Sequence, residues 1–177
     1  MTCLQPAAHA PKTRADDEPG YGVIDVQGNG LSYVDCGCIR SEGGALPARL
    51  KKIFDGVSQL VETHQPSQVA IEEVFVGRNA ASALKLGQAR GAAMAACLQF
   101  KLEVSEYSAR QVKQAVVGTG AAQKVQVQHM VKALLGISDT LAEDAADALA
   151  VAICHTNTQR SLIGLAGAKS FSRRRLR

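Results

Sequence analysis

This sequence predicts an α/β protein, a mixed sheet flanked by helices, and three observations carry that expectation. A pair of strand-like runs joined by a Gly-Asn-Gly turn opens the regular part of the chain. Strand-like and helix-like segments alternate after it, and the longer segments repeat their apolar residues with a helical period.

The hairpin comes first: residues 21–26 read as a strand, 27–30 (Gln-Gly-Asn-Gly) as its turn, and 31–39 as the partner strand. Residues 46–64 then place Leu46, Leu50, Ile53, Phe54, Val57, Leu60 and Val61 on one helical face, and Pro66 closes the segment. Residues 68–74 form the next strand, apolar enough to be buried. Residues 79–99 form a helix with Ala and Gly on nearly every side, Gly87 and Gly91 one turn apart and Ala89 and Ala93 likewise. Such a surface allows close packing, against the helix's own sheet or against a second subunit, and the pattern leaves both open. A short strand at 102–106 and helices at 108–116, 124–135 and 144–156 complete the order.

With 177 residues the chain suits one domain with a sizeable core. That domain is expected at 20–158, between an aberrant, disordered segment at 1–19 and a flexible basic tail at 159–177. The first nineteen residues hold three prolines and the cluster Asp16-Asp17-Glu18, with no apolar pair to seed a strand. A net charge of +4, with Arg173, Arg174, Arg175 and Arg177 crowding the end, permits a polyanionic partner without establishing one. Five cysteines, an odd count without framework spacing, read as reduced packing residues of a cytoplasmic protein rather than as disulfides or a zinc site. No apolar run approaches a membrane span, and no signal-peptide core is present.

Chemistry is concentrated in acids on apolar elements, where charge is costly unless paired, hydrogen-bonded or bound to a cation. Glu72 ends the strand Gln68-Val-Ala-Ile-Glu72, and Asp144 and Asp147 open an otherwise apolar helix. Three residues apart, the two aspartates share a helix face with their Cβ atoms about 5–6 Å apart. Such acids can hold Mg²⁺, and two ions about 3.5–4 Å apart orient a water and stabilise the leaving oxygen of a phosphodiester. Spacing alone favours Asp144 and Asp147 as caps of their helix over metal ligands, and allows Glu72 to be a solvated strand end. His129 and His155 read as packing or surface residues.

Five segments together resemble one family. They are Gly20-Tyr-Gly-Val-Ile24, Ala70-Ile-Glu-Glu-Val-Phe75, Asn79-Ala-Ala-Ser-Ala-Leu-Lys-Leu-Gly-Gln-Ala-Arg-Gly91, Ala109-Arg-Gln-Val-Lys-Gln114 and Asp144-Ala-Ala-Asp-Ala-Leu-Ala150, which resemble the RuvC Holliday-junction resolvases in family order from about Gly20 to Thr156. The resemblance implies a ribonuclease-H-like fold with a mixed five-stranded sheet, a homodimer, and cleavage of four-way junction DNA by paired symmetric nicks in recombination and repair. It implies Mg²⁺, with Mn²⁺ as substitute and two ions per site, and partnership with the branch-migration motor of the RuvA and RuvB type. By motif position it makes Glu72, Asp144 and Asp147 metal-binding catalytic acids. Phe75 falls at the place of the aromatic that stacks on junction bases. Lys113 and Lys124 fall where basic residues face the scissile strand, with Arg110 similar in kind.

One family feature is absent. Members begin with an apolar strand running into Gly-Ile-Asp-Pro-Gly, whose Asp is the first carboxylate of the metal site. Counting back from Gly20, Thr13 holds that place, and Thr cannot replace a carboxylate. Residues 1–19 are therefore expected to reflect a shifted reading frame or a wrongly assigned start, leaving the sheet without its first strand. The expected function is an Mg²⁺-dependent junction endonuclease impaired by that loss. The alternatives are a junction-binding protein that does not cut and a destabilised product without function.

Overall fold

The computed structural model describes residues 2–7, 19–41, 43–73, 80–165, 171–172 and 175–176. A five-stranded mixed sheet in the order β3-β2-β1-β4-β5 forms its centre. The hairpin of β2 (Gly20–Gln27) and β3 (Gly30–Cys38) is antiparallel. Its turn holds Gly28 at φ 56°, a left-handed conformation that a residue without Cβ adopts at no steric cost. On the other side, β4 (Gln68–Glu72) pairs in parallel with β5 (Val104–Tyr107).

The middle of the sheet is occupied by β1 (Thr2–Ala7), antiparallel to β2 and parallel to β4. This corrects the expectation that residues 1–19 supply no strand. The physical reason is the gap itself: β2 and β4 each present a row of backbone donors and acceptors that costs free energy if left unpaired in a core. A six-residue segment of modest strand propensity fills that gap by pairing with both neighbours. Pro6 cannot donate to a ladder, and the pairing with β4 runs through Cys3 and Leu4 and ends before it.

Successive residues of the strands face opposite layers. Val23 and Val69 join the core beneath α1 (Leu46–His64) and α2 (Ala80–Gln99), with Ile53, Val57, Ala93 and Cys97. Ile24 and Ala70 face the other layer, formed by α3 (Ala109–Val117), α4 (Lys124–Leu135) and α5 (Glu143–Leu165). Ser108 starts α3 with a capping box: its Oγ accepts from Gln111 N at 3.4 Å while Gln111 Oε1 accepts from Ser108 N at 2.8 Å.

Helix α5 is the keystone of that layer, buried almost continuously from Ala145 to Thr156. Sinking Leu149 and Ile153 contributes about 1.5–3 kcal/mol each. Its approach to β2 depends on two glycines: a Cβ on Gly20 would lie 2.3 Å from the Asp144 carbonyl oxygen, and one on Gly22 2.8 Å from Leu149. His155 is a core residue, with Nδ1 2.9 Å from the Tyr107 hydroxyl and Nε2 3.0 Å from Gln68 Oε1. Burial pushes its pKa down to about 4, so the ring is neutral. The helix continues to Leu165, through residues assigned from sequence to a flexible tail. Beyond it, β6 (Phe171–Ser172) pairs antiparallel with β7 (Arg175–Leu176).

Candidate active site

Alternation along β4 decides where Glu72 stands. It is two residues beyond Ala70, on the same face, and so looks towards α3, α4 and α5. There a cavity of about 230 Å³ is lined by Glu72, Lys113 of α3, Lys124 of α4 and Asp147 of α5. Ala109, Val112, Val127, Ala150 and Val151 complete its wall, and this apolar surround strengthens the interaction among the four charges.

Each charged group is anchored by its element. Arg90 of α2 donates from Nε to the Glu72 carbonyl oxygen at 3.2 Å and pairs with Glu106 of β5. The next backbone N–H, of Glu73, donates to the Tyr107 carbonyl at 2.8 Å, which continues the β4–β5 ladder past Glu72. Lys124 is the first residue of α4, beside the Gln123 N–H that donates to Gln126 Oε1 at 2.7 Å. Its Nζ lies 2.8 Å from Asp147 Oδ2 and 2.5 Å from Glu143 Oε1. Burial by itself would lower the Lys124 pKa, but the two carboxylates outweigh burial and raise it.

The structure thus brings together four of the residues singled out from sequence: Glu72, Asp147, Lys113 and Lys124. Asp144 is half-buried in the first turn of α5, with its carbonyl against Gly20, and is not part of the cavity lining. Arg110 is exposed, and its Cγ packs over Gly120, where a Cβ would come within 2.7 Å. Phe75 and Thr13 lie outside the described residues, as do Asp16, Asp17 and Glu18. Helix capping does not account for the aspartates: α5 begins at Glu143, and the Ala146 N–H donates to the Ala142 carbonyl, which places the cap at Ala142. Asp144 complements the helix dipole, while Asp147 lies beyond the first turn.

Two contributors were missed in the sequence. Glu143 stands four residues before Asp147, a spacing that sets both on one helix face and could have been noticed. Arg90 reaches Glu72 from a distant helix, and no local pattern announces that contact.

The position of the absent acid can be read from backbone register. Ala7 pairs with Gly20 on β2, and continuing the Leu4–Val69 pairing three residues along sets Ala7 level with Glu72. The end of β1 therefore lies between Glu72 and Gly20, the glycine against which the start of α5 packs, and no residue of Thr2–Ala7 is acidic. Glu72 and Asp147 are hard oxygen donors of the kind a divalent cation takes. Among the described residues, however, no three acids, histidines or cysteines stand close enough together to hold an ion, and Asp147 is already engaged by Lys124. The donor set as it stands does not fit a two-ion centre.

A mixed five-stranded sheet of this order, with an acid from β4 and another from a facing helix, defines a nuclease of ribonuclease-H-like fold. Within that class the chain belongs to the RuvC family: the model for crossover junction endodeoxyribonuclease RuvC matches residues 15–155. It is 56% identical over 155 residues to the crossover junction endodeoxyribonuclease RuvC of Photobacterium profundum, covering 88% of this chain and 90% of that one. Against the RuvC of Teredinibacter turnerae the identity is 57% over 161 residues, covering 88% and 91%. The structure of Thermus thermophilus RuvC in complex with Holliday junction substrate superposes with a TM-score of 0.82 at 29% identity, over 91% of this chain and 96% of that one. No helix among the described residues is long and apolar enough to cross a membrane.

Proposed function

We propose that this protein is a junction-resolving endonuclease that nicks four-way DNA in recombination and repair, at a rate limited by an incomplete acid cluster. The observation that carries this reading is the single cavity in which Glu72 and Asp147 face Lys113 and Lys124. Two acids opposite two ammonium groups suit a phosphodiester, whose charge the lysines neutralise while the acids govern the attacking water. Asp144 is proposed as a third acid, Phe75 as the base-stacking aromatic, and Arg110 as a backbone contact. The ion proposed is Mg²⁺, replaceable by Mn²⁺, with the two-ion arrangement of the family left incomplete here, because the cavity supplies Glu72 and Asp147 and β1 supplies no acid.

The active form is proposed as a homodimer working with a branch-migration motor of the RuvA and RuvB type in the cytoplasm. Supporting the dimer, Leu84, Gly87, Gly91 and Leu98 form an exposed stripe on α2, with nothing near either glycine. A second reading, junction binding without cleavage, is favoured by the lack of any acid on β1.

A synthetic four-way junction incubated with the protein, with and without Mg²⁺, separates the two. Paired nicks that vanish in Glu72→Gln support the nuclease, and nicks that survive this change refute the assignment of the site. A complex that forms on the junction but never nicks it establishes the second reading.

A further inference from the structure

Strand β4 ends at Glu72, and its last peptide is held from the sheet face opposite the cavity. Glu106 pairs with Ile71 and Tyr107 with Glu72, so Glu106 faces the layer of α1 and α2 while Glu72 faces the cavity. Arg90 comes from α2 on that outer face, with 18% of its side chain exposed. Its guanidinium donates in two directions, from Nε to the Glu72 carbonyl oxygen at 3.2 Å and from Nη2 to the Glu106 carboxylate. At the other end of the same peptide, the Glu73 N–H donates to the Tyr107 carbonyl at 2.8 Å. Both polar ends of the peptide 72–73 are thus bonded, whereas the pairing of β1 with β4 runs only through Gln68 and Val69. A peptide bonded at both ends has a fixed plane, and that plane sets the direction in which the Glu72 side chain leaves the strand.

From this geometry we infer that Arg90 is a positioning residue for Glu72: it fixes the peptide that follows Glu72 and so keeps the carboxylate turned into the cavity. Glu106 in turn holds the guanidinium at the end of β5. A planar fork serves both acceptors at once, whereas a lysine ammonium is a point donor on a flexible stem. Arg90 acts through the main chain and is not among the residues that line the cavity. The inference rests on the proposed reading that the cavity receives a junction phosphate, and it involves no metal ion.

The test is binding of a synthetic four-way junction in EDTA, read as a double-mutant cycle. Glu72→Gln removes a carboxylate that repels the phosphate, and it is expected to tighten binding about fivefold with Arg90 present. In the Arg90→Gln background the gain should fall below about twofold. An equal gain in both backgrounds overturns the inference, because the carboxylate would then face the cavity without Arg90. No gain in either background refutes the phosphate reading instead, and amide exchange then decides the inference. The Glu73 amide should exchange about tenfold faster in Arg90→Gln while the Val57 amide in α1 keeps its rate. An unchanged rate at Glu73, or an equal rise at both amides, overturns the inference. If Arg90→Gln does not fold, Arg90→Lys takes its place, since it keeps the charge and loses the fork. Full retention of the fivefold gain in that protein overturns the inference.

Discussion

Replacing Gly20 with alanine should damage the site without altering any charged residue. The new Cβ would lie 2.3 Å from the Asp144 carbonyl oxygen and 2.5 Å from its carbon, where ordinary contact begins at 3.4 Å. The start of α5 must therefore retreat by about 1 Å, and both of its aspartates move with it. The obstacle is main chain, so no rotamer relieves it, and overpacking of this kind costs about 1–3 kcal/mol. A displacement of that size at a reacting group costs on the order of 100-fold in rate. Urea denaturation gives the first quantity and nicking of a four-way junction the second. If Gly20→Ala unfolds within about 0.5 kcal/mol of the parent, α5 does not rest on β2 as described.

Ala7→Asp should raise the nicking rate by on the order of 100-fold, since it puts a carboxylate level with Glu72 beside Gly20. An unchanged rate with intact junction binding would show that β1 does not end at the site. Stability should fall with acidity through His155, whose pKa is about 4 in the fold and 6.5 when unfolded. Between those values the unfolded chain binds the extra proton, so His155's contribution is complete above pH 6.5. It declines as pH drops towards 4, by roughly 3 kcal/mol in all. Urea midpoints across that range should fall less steeply for His155→Gln. Leu84→Glu, on the exposed stripe of α2, should leave the folded monomer intact and convert a dimer into monomers in sedimentation.

Much of the architecture follows from local pattern. The hairpin was marked by its Gly-Asn-Gly turn, and α1 by seven apolar residues at helical spacing. Strand β4 was a short apolar run ending in an acid, and each of these stands within a few residues of its expected place. Strand β1 was not recognisable, because its residues lack strand character of their own and the pairing comes from β2 and β4. Counting residues back from Gly20 pointed to Thr13 for the missing carboxylate, whereas register on the sheet points to Ala7. A count along the chain assumes a loop of family length between the first two strands, whereas here twelve residues, 8–19, separate the end of β1 from the start of β2.

The sequence by itself determined which side chains are available: acids at 72, 144 and 147, lysines at 113 and 124, and no acid between residues 2 and 7. It also determined that Glu72 shares a face with Ala70, since strand alternation is a local property. Only the tertiary structure decided which of these groups meet. Glu72 and Asp147 share a cavity, Asp144 stands outside it, and Lys124 bridges Asp147 to Glu143. Those contacts join residues far apart in the chain, and they arise from the packing of α3, α4 and α5 on one sheet face, which no window of sequence contains.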